Sequence, residues 1–335
     1  MTKERIKIGF IGAGSIGSLF GGYLASIRSG SYSTEVILFC RKNHADQVNK
    51  NGLILNKGQT ELIIHDINAY TNPDDAKNFL LNGSDYAFDF IFLTTKTYDI
   101  ATAILEYEKL IDLSKYLVIL QNGIGNEEII SNYCPKNKII RIVTSNGALL
   151  NKPGYVTHTG AGFTKVGIPF QKIFNIEDSE LEVAQKNLKI LSELLNLAGI
   201  ETIIVDDIIK ECWEKVFVNV GINAIGALTR LKNGEMLKNE GIKHLMGIAI
   251  KEALKVAELR SINLSKKDFI ALAYDVARKT SENKNSMLQD IIKGKKTEID
   301  FINGRIVRLG EELGTNTPIN ETLTYLIKGL ERTSI

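Results

Sequence analysis

Three glycines near the start of the chain, Gly12, Gly14 and Gly17, have the spacing G-x-G-x-x-G. They follow the apolar run Ile6 to Ile11 and pass into the amphipathic segment Ser18 to Ile27, an order that reads as strand, tight turn and helix. In a dinucleotide-binding fingerprint one glycine permits the turn, one lets the backbone approach a pyrophosphate and one lets helix and strand pack closely. The helix N-terminus behind them, with unpaired N–H groups and a positive dipole end, suits phosphates. Gly12, Ala13, Gly14, Ser15, Ile16 and Gly17 are therefore the candidate cofactor loop.

The next strand, Glu35 to Cys40, reports on the cofactor. Enzymes that bind NAD place an acid at its end to hold the ribose 2′-hydroxyl, whereas an arginine suits a 2′-phosphate. Here the strand ends in Cys40-Arg41-Lys42, with no acid. NADP is the expected cofactor, the plainer alternative being that both cations are solvated loop charges. Lys96 and Asn122 fall just beyond two further strands, Asp89 to Thr95 and Tyr116 to Leu120, where ligands bind in parallel sheets. Either residue would also serve as an ordinary turn former, Asn122-Gly123 especially.

A second cluster lies on the segment after Asp206-Asp207. Glu211, Lys215, Asn219 and Asn223 recur every four residues and form one stripe of a helix, with Ile209, Cys212, Val216 and Val220 on another. Asparagines flanked by Phe217, Val218 and Ile222 suggest a polar stripe in an apolar surface, such as the wall of a cleft. The competing reading is a surface Glu211 to Lys215 pair at i,i+4. Asn285 to Asp290 and Thr297 to Gly304 also set polar residues among core types, although Ser286 and Thr297 would serve equally as N-caps.

The elements that must position these residues follow from composition and pattern. A chain of 335 residues is long enough for two domains, and 44% hydrophobic with 24% charged residues is an ordinary globular balance. A net charge of +2, from 41 basic and 39 acidic side chains, argues against nucleic acid or an anionic membrane as partner. No apolar run approaches the ~20 residues of a spanning helix, and the short charged start leaves no room for a signal peptide. Cys40, Cys134 and Cys212 are three and far apart, and the four histidines lack metal-ligand spacing. A reducing cytoplasm fits, with neither disulfides nor zinc.

Strands alternate with helices up to Ile200–Val205, the reading expected of a doubly wound α/β sheet. Short strands are expected at Leu62–Asp66, Ile139–Thr144, Gly154–His158 and Phe163–Ile168, and helices at Ile100–Ile111 and Leu181–Leu197. Beyond Asp206 only helices are expected: the one carrying Lys215, then Gly241–Arg260, Lys266–Glu282, Ser286–Lys293, Glu298–Leu313 and Glu321–Glu331. The domains are accordingly 1–205, a Rossmann-type dinucleotide domain, and 206–335, an all-helical domain.

Taken together the residues resemble the ketopantoate reductase family over nearly the whole chain. The resemblance rests on Gly12-Ala13-Gly14-Ser15-Ile16-Gly17, Arg41, Thr95-Lys96, Asn122-Gly123, Trp213-Glu214-Lys215 with Asn219 and Asn223, Asn233-Gly234-Glu235, Ser286 to Asp290, and Thr297 to Asp300 with Asn303-Gly304. It implies an N-terminal Rossmann domain and a helical domain with the substrate between them. By position it implies Lys215 as the catalytic lysine and Asn122, Asn219, Asn223, Asn233 and Ser286 as substrate contacts. Lys96, Asn122 and Ala148 would touch the cofactor, NADP(H), and Glu298 would lie by the nicotinamide end and the lysine. The implied reaction is hydride transfer to a small 2-oxo acid, in which an ammonium both stabilises the developing alkoxide and protonates it. A nearby carboxylate favours the charged lysine. The loops Arg28–Thr34 and Asn78–Ala87 look longer than in compact members. A reductase of another 2-oxo acid and a non-catalytic NADP sensor remain the rival readings, and a homodimer stays open.

Overall fold

A computed structural model describes residues 3–76, 86–171 and 179–333. Most of the stretch Asn78–Ala87 therefore lies outside the described residues. The chain forms two compact units: Met1–Gln121 with Asn126–Ile208, and Asn122–Gly125 with Ile209–Ile335. Among the described residues no helix is long and apolar enough to cross a membrane.

The first unit runs β1 (Glu4–Ile11), α1 (Ser15–Ala25), β2 (Tyr32–Phe39), α2 (Lys42–Asn51), β3 (Leu53–Lys57), β4 (Thr60–Ile64) and β5 (Asn68–Tyr70). It continues with β6 (Phe88–Leu93), α3 (Ile100–Glu106), α4 (Glu108–Asp112), β7 (Ser114–Ile119), α5 (Asn126–Ile130) and β8 (Ile139–Thr144). Last come β9 (Gly147–Lys152), β10 (Tyr155–Gly160), β11 (Thr164–Gly167), α6 (Ser179–Leu197) and β12 (Thr202–Ile204). Eight strands form one sheet in the order β12-β11-β8-β7-β6-β1-β2-β5, parallel from β8 through β5. The chain builds outward from β1 through β2 to β5, then returns to the other side of β1 for β6, β7 and β8. Strand order thus reverses between β1 and β6, the crevice where doubly wound sheets bind ligands.

The carboxyl-terminal halves of β1 and β2 and most of β6 and β7 are apolar runs because both faces are covered there. Ile6, Ile8, Phe10, Leu38, Phe92 and Val118 pack on one face with Leu19 and Phe20 of α1 and Leu191 and Leu194 of α6. The alternate residues Ile11, Ile37, Phe39, Ile91 and Ile119 pack on the other with Ile100 and Ile104 of α3 and Leu110 of α4. Helix α1 has a second partner: a four-stranded sheet, β4-β3-β10-β9, whose Leu53, Leu55 and Val156 belong to the same core cluster.

Differences from the sequence reading are local. The second strand begins at Tyr32, inside the stretch read as loop, because it pairs with β1 along its whole length from Glu4↔Tyr32 to Ile11↔Phe39. Helix α1 begins at Ser15, directly behind the glycines. The helix expected at Ile100–Ile111 is broken at Tyr107 into α3 and α4. Strands β3 and β9 were not anticipated; each is short and stabilised by pairing with β10, which is distant in the chain from β3 (Ile54 with Tyr155) and forms a hairpin with β9.

The second unit contains α7 (Ile208–Thr229, all but its first residue), α8 (Asn233–Met236), α9 (Glu240–Leu259), α10 (Phe269–Lys279), α11 (Ser286–Ile292), α12 (Asn303–Glu312) and α13 (Pro318–Thr333). No strand occurs in it among the described residues. The helix expected from Glu298 is interrupted: a 3-10 turn spans Ile299–Phe301, and Ile302, at φ −113° and ψ −96°, leaves helical geometry before α12 begins.

The three glycines of the loop differ in what surrounds them. Gly12 has φ +75°, and a Cβ there would lie 2.3 Å from Thr95 Cγ2. At Gly14 a Cβ would meet nothing closer than the Gly12 carbonyl at 3.9 Å, so this face of the loop is open for an approaching group. At Gly17 a Cβ would sit 2.3 Å from Thr94 Oγ1. That hydroxyl donates between the carbonyls of Ile11 (2.9 Å) and Gly12 (3.1 Å), so turning aside would give up its own buried hydrogen bond. Gly17→Ala is therefore expected to force α1 away from β6 and to cost about 1–3 kcal/mol, the scale of overpacking a tight core. Urea unfolding tests this, and an unchanged midpoint would show that the helix shifts freely.

Candidate active site

In the first unit the candidate residues gather at the carboxyl ends of neighbouring strands. The register Ile11↔Phe39 brings the loop after β1 beside the end of β2, and the N–H groups of Gly12 and Ala13 both donate to the Phe39 carbonyl, at 3.0 and 2.9 Å. Arg41 stands immediately before α2 in extended conformation and is exposed; its guanidinium has no hydrogen bond or ion pair among the described residues. Lys42 pairs with Asp46 at 3.2 Å, one turn along α2. Helix α1 has no side-chain cap at Gly14, which leaves its first N–H groups for another acceptor.

Beyond β6, Thr95 and Lys96 are tied to the end of β7. Gln121 Nε2 donates to the Thr95 carbonyl at 2.9 Å and lies 3.0 Å from Thr95 Oγ1. Gln121 was not singled out from sequence, because an isolated glutamine at a strand end carries no spacing signal. Ala148 lies on β9, half-buried against the core that holds α1. Ser15 joins the same strand, its hydroxyl accepting from Leu150 N at 3.0 Å.

The second unit assembles the other candidates. Its loop Asn122–Gly125 has two residues of positive φ, Gly123 at +84° and Gly125 at +85°. A Cβ at Gly123 would lie 2.5 Å from the Phe301 carbonyl, so the loop is pressed against the turn that follows Glu298. This closeness brings three side chains into line. Lys215 Nζ donates to Asn122 Oδ1 at 2.7 Å, and Asn122 Nδ2 donates to Glu298 Oε2 at 3.3 Å. Glu298 is buried and Lys215 half-buried.

Asn219 and Asn223 follow Lys215 on α7 at one-turn intervals. Asn223 is only 5% exposed, and neither amide has a hydrogen-bond partner among the described residues. Buried amides ordinarily find partners, so the bare, buried amide of Asn223 stands out on the helix that carries Lys215, with the half-buried Asn219 one turn before it. Asn233 Nδ2 donates to Thr280 Oγ1 at 2.9 Å, while its buried Oδ1 accepts nothing.

Ser286 is exposed as the first residue of α11. The cap of that helix is Asn285, whose Oδ1 accepts from Leu288 N at 2.9 Å, so the capping role considered for Ser286 belongs to its neighbour. Asn285 Nδ2 also reaches the Ile222 carbonyl at 3.4 Å, which seats the start of α11 beside the turn of α7 bearing Asn223. Thr297 is a local cap as well, its hydroxyl accepting from Ile299 N at 3.2 Å.

Glu214, next to Lys215, faces away to a structural task. Its carboxylate accepts from Ser265 N at 3.2 Å and from Lys267 Nζ at 3.0 Å. Burial works against its charge, but these bonds outweigh it and hold the carboxyl below its usual range. Among the described residues no group of histidine, cysteine and acidic side chains is placed to hold a metal.

Comparison with known proteins places this arrangement. Residues 8–169 match the family model "Ketopantoate reductase PanE/ApbA", and residues 207–331 match "Ketopantoate reductase PanE/ApbA C terminal". The chain is 37% identical to the 2-dehydropantoate 2-reductase of Pyrococcus horikoshii, covering 97% of this chain and 98% of that one. It is 34% identical to the enzyme of that name from Archaeoglobus fulgidus, covering 99% of each. Among solved structures, a ketopantoate reductase family member from Ralstonia eutropha is similar at 25% identity and a TM-score of 0.81, covering 98% of this chain and 99% of that one. D-mandelate dehydrogenase with NADH and anilino(oxo)acetate is similar at 27% and 0.82, with the same coverage. A parallel sheet that reverses at its glycine loop, a helical unit that joins Lys215, Asn122 and Glu298, and full-length likeness to these enzymes lead to one assignment: the chain belongs to the ketopantoate reductase family of oxidoreductases.

Proposed function

We propose that the chain is an NADPH-dependent 2-dehydropantoate 2-reductase that reduces ketopantoate to pantoate in the synthesis of pantothenate. The observation that carries this reading is the hydrogen-bonded run Lys215–Asn122–Glu298, which leaves an ammonium half-exposed on a helix with two unpartnered amides. A cofactor-sensing protein has no need of that run.

The first unit is assigned to the dinucleotide. The uncapped start of α1 and the open face at Gly14 fit a pyrophosphate, and Arg41, without a partner of its own, fits a 2′-phosphate. In this unit Gly12 to Gly17, Arg41, Lys96 and Ala148 are the residues assigned to hold it. NADPH supplies a hydride to the ketone carbon of the bound acid. The remaining chemistry falls to the chain. Asn219, Asn223, Asn233 and Ser286 orient the carboxylate and hydroxyl of the substrate with neutral groups that add no competing charge. Lys215 Nζ stabilises the negative oxygen left by hydride addition and transfers a proton to it, and solvent then restores the ammonium. Asn122 aims Nζ, and the Glu298 carboxylate keeps the Asn122 amide turned with its oxygen toward the lysine.

A second reading is favoured by one observation, the likeness to D-mandelate dehydrogenase: the same machinery acting on a different 2-oxo acid. The cysteines Cys40, Cys134 and Cys212 are free thiols, in keeping with a cytoplasmic location.

The deciding experiment follows NADPH oxidation with ketopantoate and a panel of other 2-oxo acids. Turnover of ketopantoate is expected; brisk reduction of another acid without it would reject the substrate and keep the reaction. Lys215→Ala is expected to lower kcat by about a thousandfold or more while NADPH still binds, the scale of losing a general acid with its electrostatic role. Near-normal turnover in that variant would remove the lysine from the mechanism. Arg41→Asp should weaken NADPH against NADH by about tenfold or more, the loss of one charge-assisted contact. An unchanged preference, read from the ratio of kcat/KM values, would place phosphate recognition elsewhere.

A further inference from the structure

A buried histidine that none of this chemistry uses sits between the two segments assigned to the cofactor. His44 is in the first turn of α2, where its N–H and that of Ala45 donate to the Arg41 carbonyl at 2.9 and 3.0 Å. It is 4% exposed, and its ring points inward. Nδ1 lies 2.9 Å from the backbone N–H of Gly154, at the turn joining β9 to β10. A backbone N–H only donates, so Nδ1 carries no proton and the proton of the neutral ring is on Nε2. Burial pushes the pKa of this histidine down to about 4, in keeping with a neutral ring. Nε2 lies 2.9 Å from Ser18 Oγ and therefore donates to it. The serine hydroxyl, fully buried, passes its own proton on to the Ala13 carbonyl at 3.1 Å.

The bonds thus run in one direction, from the β9–β10 turn through His44 and Ser18 to the middle of the glycine loop. We propose that His44 is a positioning residue for the dinucleotide: it fixes the Ala13 carbonyl toward the protein interior and pegs the turn behind Arg41 to the same frame. This rests on the assignment of the first unit to NADPH. With the Ala13 carbonyl held inward, it is kept from a pyrophosphate that would accept from the uncapped first N–H groups of α1. With α2 anchored at its first turn, Arg41 keeps one distance from that loop. A histidine suits the task because a neutral imidazole accepts at one edge and donates at the other, joining a backbone N–H to a hydroxyl on separate elements. A satisfied core histidine with no bearing on the cofactor would leave NADPH affinity untouched when replaced.

Direct titration of NADPH fluorescence, with no 2-oxo acid present, separates the possibilities. His44→Leu is expected to raise the Kd for NADPH about tenfold, the loss of two hydrogen bonds that order the loop, with kcat at saturating NADPH changed less than about twofold. His44→Gln, which keeps an acceptor and a donor, is expected to recover most of the affinity. If His44→Leu does not fold, Ser18→Ala breaks the same run from its other side and is expected to weaken NADPH about threefold. Wild-type affinity in the variant that folds overturns the proposal, as does His44→Gln binding no better than His44→Leu. A wild-type chain that binds no NADPH would instead overturn the assignment of the first unit.

Discussion

The side-chain amide of Asn122 faces an ammonium on its oxygen edge and a carboxylate on its nitrogen edge, and this dictates how it lies. Rotating the amide by half a turn would set oxygen against oxygen and nitrogen against ammonium, so the two charges lock one orientation. The lysine is thereby held by an uncharged neighbour whose orientation the carboxylate fixes. Everything that places Asn122 serves this arrangement. The strand β7 delivers it, and two glycines of positive φ fold its loop against the Phe301 carbonyl.

The first unit solves a different problem with the same economy of groups. Helix α1 is packed on the main sheet by one face and on the small sheet by another, so packing rather than a capping side chain places its start. Leaving those N–H groups uncapped would cost stability in an ordinary helix, yet it gives a phosphate an undisputed place. The buried run from Gly154 through His44 and Ser18 to Ala13 completes the support, since no polar atom along it is left to compete for the ligand.

Much of this was legible in the residues. The G-x-G-x-x-G spacing between an apolar run and a helix reads as strand, turn and helix, and the chain folds so, with Cβ positions at the three glycines facing Thr95, open space and Thr94. The four-residue spacing of Lys215, Asn219 and Asn223 was enough to put them on one stripe of α7. By contrast, β3 and β9 left no periodic trace, because a five- or six-residue segment becomes a strand only when another strand offers its edge; β10 does so for both, as a hairpin neighbour of β9 and, for β3, from about a hundred residues along the chain. The break at Ile302 was also hidden, since the sequence Glu298 to Leu313 reads as a continuous helix and only packing makes the turn.

By itself, then, the sequence determined which side chains were available and the local periods on which they would fall, because both depend on residue type and neighbours alone. It named Lys215, Asn122 and Glu298, but it left open whether Lys215 was a surface cation and Asn122 a turn former. Tertiary structure decided that these three form one hydrogen-bonded run, and that a histidine with no motif of its own joins the glycine loop to Arg41. Such contacts arise between residues up to 176 positions apart. Distances of that kind are fixed by how sheets and helices pack, and no local pattern encodes them.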